Sequence, residues 1–288
     1  MRMRATVAVV TGALALSALA IPASQASPRP HNDRVPFGER GFVSQDRAPV
    51  AGKRAPLAAS ANTQPVISKV VVNGGKPIAV GTTAVKKVTA TLTASDDSGI
   101  EDAYIELWKG SSPEDADNWF SPDGDAAKCK AAGATTSTCT VTFSVDPEYL
   151  YNVDATTWKI TAAVLGNDQD VVWNDKYSTV KFQRQSQLTV NAAPEPVKKG
   201  KTVTVTGKLA RANWDTGKYA GYSTQPVKLQ FRKKTATTYT TVKTVKTSTT
   251  GTLKTTTKAT VDGYYRWSFA GTSTTPAINA TGDFVDVK

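Results

Sequence analysis

Five oxygen-bearing side chains stand out as a possible ligand set. Asp96 and Asp97 sit together in TASDDSGI, and Asn167, Asp168 and Asp170 sit together in GNDQDVVW. If the flanking runs are strands, the two groups occupy turns. Several oxygen donors converging from two loops suit Ca²⁺, which takes six to eight oxygens in a flexible geometry. A plainer reading competes, because Asp, Asn and Gly are also what turns use. The spacing matches no EF-hand loop.

Other chemistry is poorly supplied. The single histidine is His31, and the chain has only two cysteines, Cys129 and Cys139. Acyl-transfer triads need a histidine, or a lysine in its place, held by folded structure. No G-x-S-x-G, H-E-x-x-H or Gly-rich phosphate loop is present. The cysteines have no histidine or third cysteine nearby to complete a metal site, and in an oxidising compartment they read as a local disulfide stapling a Gly/Ala/Thr-rich loop. We therefore expect no enzyme activity.

The compartment follows from the amino terminus. Arg2 and Arg4 precede an apolar run over 5–21, and Ser24-Gln25-Ala26 makes a small-residue cleavage site, which predicts a signal peptide over 1–26. The run is too short to favour a permanent membrane span. The chain is thus expected to be secreted and extracellular, with no membrane span after cleavage. Residues 27–64, rich in Pro, Arg, Ala and Ser, have no sustained apolar period and read as a disordered arm or pro-segment.

What remains must position the candidate residues. Runs at 66–72, 87–94, 103–108, 139–145, 157–165 and 177–183 read as strands, and the period-two patterns within 87–94, 103–108, 139–145 and 157–165 mark one buried face. A short helical turn is expected over 113–118. A second series follows at 188–191, 202–209, 226–233, 239–246, 252–259, 264–270 and 283–287. Tyr265, Trp267 and Phe269 would form one core row there, and a bulge would reconcile Val242 with Val245 in the fourth run. The predicted fold class is all-β: two tandem immunoglobulin-like β-sandwiches, 65–184 and 185–288, after the signal peptide and the arm.

The segments PVKKGKTVTVTGKL, VKLQFRKK, TYTTVKTVKT and DGYYRWSFAGTSTT resemble a C-terminal module of secreted actinobacterial (Streptomyces-like) proteins. TASDDSGI and GNDQDVVW resemble the bacterial immunoglobulin-like repeats that often precede it. Together the resemblance covers most of the chain beyond the arm. It implies a fold and an extracellular setting but no catalytic activity, and such proteins are sometimes labelled calcium-binding.

Charge divides the two sandwiches. Residues 63–184 carry 11 basic and 16 acidic side chains, whereas residues 185–288 carry 16 and 5. Lys228 and Arg232 should share one strand face, as should Lys254 and Lys258, giving a positive sheet surface able to attract a polyanion. Cell-wall polymers, extracellular polysaccharide or a protein fit that surface better than nucleic acid. Lysines that only guard strand edges and keep the chain soluble are the plainer reading. Trp214, Tyr219 and Tyr222 fall in a long connection, and Trp119 and Phe120 in the cysteine loop. Such rings either stack on a ligand or fold back on the core. The leading function is a secreted, non-catalytic binding or adhesion-type protein acting at the cell envelope or on an anionic polymer. The alternative is a structural module with a Ca²⁺-stabilised first domain.

Overall fold

The computed structural model describes residues 62–288. The expected signal peptide and nearly all of the expected arm lie outside them. Among the described residues, regular structure is strand throughout, apart from three short 3-10 turns. The protein is all-β and of the immunoglobulin-like sandwich type.

The first half packs two sheets. One has the order β1-β3-β7-β6, formed by Val66–Val72, Lys86–Ser95, Thr136–Val145 and Lys128–Ala131. The other has the order β2-β9-β8-β4-β5, formed by Ile78–Val80, Val171–Arg184, Thr157–Gly166, Ile100–Gly110 and Ala116–Phe120. Strict alternation sends Val88, Ala90, Leu92 and Ala94 inward from β3, and Val141, Phe143 and Val145 inward from β7. They meet Trp158, Ile160 and Val164 of β8 in one apolar cluster. The helical turn expected over 113–118 is absent, because 116–120 pairs with β4 as an edge strand instead.

Cys129 faces Cys139 across the β6–β7 hairpin, and the two are joined as a disulfide. The bond ties two paired strands at a sheet edge, not a free loop. It closes a segment with a sequence separation of 10. Its loss is expected to reduce stability by about 2–3 kcal/mol from chain entropy. Urea melts with and without reductant check this; identical midpoints would contradict it.

The second half is built the same way. One sheet centres on β12 (Thr202–Asn213), flanked by β10 (Ser186–Leu188), β11 (Asn191–Ala193), β13 (Lys218–Gly221) and β16 (Thr252–Lys258). The other runs β15-β14-β17-β18, formed by Thr240–Lys246, Pro226–Lys233, Gly263–Phe269 and Ile278–Asn279, with β19 (Asp283–Val285) also on β17. Tyr265, Trp267 and Phe269 are buried in its core, as their alternation predicts. The bulge expected in 239–246 is present: Leu229 pairs with Lys243 but Gln230 with Thr241, leaving Val242 as the extra residue.

Only Gln185 separates β9 from β10. The joint there is dense. Gln183 Nε2 donates to the carbonyls of Thr272 and Ser273, and the Arg184 guanidinium donates from Nε to Ala212 O at 2.6 Å. Burial, with the Arg211 charge adding, pulls Arg184 down to about 10, so it stays charged at neutral pH. Trp214 continues from β12 yet is buried in the first half's apolar cluster, together with Ala212. Its indole N–H donates to Gly81 O at 2.9 Å.

Candidate metal centre

Strands β4 and β8 are antiparallel neighbours, and their register sets Ile100 opposite Gly166. The turn after β3 and the turn after β8 therefore lie at the same end of the first sandwich. Gly99 adopts a left-handed φ of 90° and Gln169 one of 73°, so each loop reverses within four residues. Gly99 O accepts from Asn167 N at 3.1 Å and locks the two turns together.

Asp96, Asp97 and Asp168 can each bring a carboxylate oxygen to within 4.8 Å of the other two. Asp97 and Asp168 are exposed, whereas Asp96 is only 4% exposed. Asp96 Oδ1 accepts from Ser98 N at 2.8 Å and from the Ser98 hydroxyl, but Oδ2 is buried with no hydrogen-bond partner. A buried carboxylate oxygen without a donor is costly, and a cation is one way to satisfy it. A β-carbon on Gly166 would come 2.6 Å from Asp168 Oδ1 and 3.1 Å from the Asp96 carboxyl, so glycine keeps open the space beside both groups.

The electrostatics are one-sided. Among the described residues the ion pairs are Lys87–Asp123, Lys109 with Asp117 and Asp154, and Lys288–Asp286, none of which touches the cluster. Thr63 donates to Asp97 Oδ1 from its hydroxyl at 2.7 Å and its N–H at 3.3 Å, holding the Asp97 carboxyl below its ordinary value. An all-oxygen, anionic set on two loops suits Ca²⁺, whereas zinc prefers nitrogen and sulfur donors.

The other two candidates of this set point elsewhere. Asn167 Nδ2 donates to Ser98 O at 2.7 Å, and Asp170 Oδ2 accepts from Asn62 Nδ2 at 2.9 Å. Asn62 and Thr63, which composition assigns to the arm, thus bond to this end of the sandwich. Their roles were not visible in composition, and Ser98 alone had a local signal, its position two residues after Asp96 in an Asx-type turn.

The basic residues do not form one surface. Lys228 and Arg232 lie on β14, and Lys254 and Lys258 lie on β16, in opposite sheets of the second sandwich. Each pair points away from its own inward row, Val227 and Leu229 on β14 and Leu253 on β16. Each pair thus shares one strand face, as expected, but the two pairs lie on separate sheets and make no common surface.

The loop aromatics also differ from an open platform. Trp214 is 1% exposed, Tyr219 lies on β13 and packs against the first core, and Tyr222 lies against the second with Arg211 over its ring at 3.8 Å. Phe120 is in the first core, and Trp119 stands opposite Trp108 in the β4–β5 pair. Trp214, Tyr219, Tyr222 and Phe120 fold back because the apolar surface they cover outweighs solvent exposure, whereas Trp119 is half-buried and belongs to neither core.

Residues 78–164 match a family described as a family of unknown function (DUF5707). No curated protein matches the chain. Among solved structures, the D00-D0 domain of intimin is 16% identical over 75% of this chain and 99% of its own, with a TM-score of 0.26. The ectodomain of mouse nectin-like molecule 4 is 13% identical over 78% of this chain and 65% of its own, at a TM-score of 0.24. The alpha-2-macroglobulin of E. coli is 11% identical over 75% of this chain and 14% of its own, at 0.30. Similarities this distant carry no information on function.

Proposed function

We propose that this chain is an exported, non-catalytic β-sandwich protein whose first sandwich is stabilised by a Ca²⁺ ion held between the β3–β4 and β8–β9 turns. The observation that carries the reading is the buried, unpartnered Oδ2 of Asp96 beside the Asp97 and Asp168 carboxylates. Asp96 would anchor the ion from inside, Asp97 and Asp168 would close on it from the two exposed loops, and water would complete the shell. Bound there, the ion cancels repulsion among three carboxylates and fixes two loops that otherwise only share a few hydrogen bonds.

A disulfide and an immunoglobulin-like sandwich fit an extracellular protein, where free Ca²⁺ is abundant enough for weak sites to fill. Calcium at a hundred times its dissociation constant is expected to stabilise the folded state by about 2.7 kcal/mol, raising Tm by roughly 5–10 °C. Differential scanning calorimetry in calcium, magnesium and chelator tests this, with Asp96→Asn and Asp168→Asn as controls that should abolish the shift. A wild-type Tm indifferent to millimolar calcium would remove the proposal.

A further inference from the structure

The outward face of the β15–β14–β17 sheet bears an unbroken row of rings and cations. Lys234 lies 5.3 Å from the Phe284 ring, and that ring packs on Tyr264 at 5.1 Å. The Arg232 guanidinium sits 3.9 Å over Tyr264 and 5.3 Å from Tyr239, and Arg266 sits 3.9 Å over Tyr239. The register explains the row, since Arg232 pairs with Tyr264, Gln230 with Arg266 and Lys228 with Ser268.

Two features separate this face from an ordinary solvated lysine surface. The first is preorganisation. A tyrosine ring 3.9 Å away restrains each guanidinium, and Arg232 Nη1 is further fixed on Ala236 O at 2.9 Å while Arg266 Nε is fixed on Gln230 Oε1 at 2.8 Å. Side chains already held in this way lose little freedom on taking up an anion. The second is charge. Both guanidinium partners are neutral, and among the described residues no carboxylate forms an ion pair with Lys234, Arg232 or Arg266. Guanidinium forks match carboxylates in paired hydrogen bonds.

The rings on this face already carry cations or neighbouring rings, so bases are not offered a free stacking platform. What the row presents is N–H edges, with the hydroxyls of Tyr239, Tyr264 and Ser268 and the Gln230 amide between them. That mixture suits a chain of sugars bearing both carboxylates and hydroxyls. We propose that this face is a binding site for a carboxylate-bearing extracellular polysaccharide, in which Arg232 and Arg266 take the carboxylates. The site is remote in sequence from the acidic loops and does not depend on calcium.

Polygalacturonate serves as the probe, with the full chain in chelator and about 150 mM NaCl, where the Debye length is about 8 Å, and binding is read by calorimetry. Arg232→Gln/Arg266→Gln is expected to weaken binding by at least roughly tenfold, the loss typical of a charged hydrogen bond. Lys254→Gln/Lys258→Gln removes the same charge from the opposite sheet and should change affinity by less than about threefold, as screened surface charge does. Gly282→Ala gives a charge-neutral check. A β-carbon there collides with the Tyr239 hydroxyl, so it should displace that ring and weaken binding with no change in net charge. Melting curves establish that each variant is folded. The proposal is overturned by equal losses in the two charge-removal variants, by no binding at 150 mM NaCl, or by tighter binding to inorganic polyphosphate of equal charge.

Discussion

Trp214→Ala should be strongly damaging, lowering stability by about 3–5 kcal/mol. Trp214 is chemically continuous with the second sandwich but is buried at 1% exposure in the core of the first. Alanine there leaves a cavity against that core and takes away the indole hydrogen bonds to Val80 O and Gly81 O at 3.3 and 2.9 Å. The surrounding joint limits collapse, since Asn152 is tied to Asn213 and Asp215 on the adjoining segment. Equilibrium denaturation followed by tryptophan fluorescence and by far-ultraviolet dichroism is the check. The two probes should coincide in the wild type and separate in the variant, as the halves cease to unfold together. A midpoint shift worth less than 1 kcal/mol would show that the residue is not a keystone of the joint.

Asp154→Ala should cost a comparable amount, about 3–5 kcal/mol, by a different route. The Asp154 carboxylate is 2% exposed and satisfies three donors: Lys109 Nζ at 2.9 Å, Asn118 Nδ2 at 3.0 Å and Tyr151 N at 2.8 Å. Removing it leaves the partly buried Lys109 ammonium with only the more distant Asp117 carboxylate, at 3.9 Å, and takes an acceptor from the Asn118 and Tyr151 donors. Asn in the same place keeps the volume but exchanges one acceptor for a donor facing other donors, so Asp154→Asn should recover little. Chemical denaturation of both variants tests this; an asparagine variant as stable as the wild type would show that charge at this position is dispensable.

Period-two alternation made most of the cores legible. Val88, Ala90 and Leu92, or Tyr265, Trp267 and Phe269, announce their inward face because a strand must turn every second side chain the same way. The strands that escaped notice, such as β2, β5 and β13, are short or lack that contrast, and their pairing is decided by neighbours distant in sequence. The acidic loops were visible because each carries its own turn chemistry, and their convergence follows from strand order. Which carboxylates converge was not visible: it depends on local bonds, such as Asn62 drawing Asp170 aside. The cationic row was half visible, through Arg232. Its other members come from β17, β19, the approach to β15 and the residue just after β14, so only the cross-strand register reveals it. Which core Trp214 would cover was not visible either: a chain position in one sandwich says nothing about which core is nearest in space.

The joint carries a mechanical consequence. One residue between β9 and β10, the buried Arg184 and the Trp214 plug leave no slack through which the halves could swing. Tension applied by a polymer gripping the second half would be transmitted as torque to the first, with no spring between them to absorb it. The tandem would then act as a strut that holds its two ends at a fixed spacing, and the weakest hydrogen-bonded edge, not the connection, would be where such a load first yields.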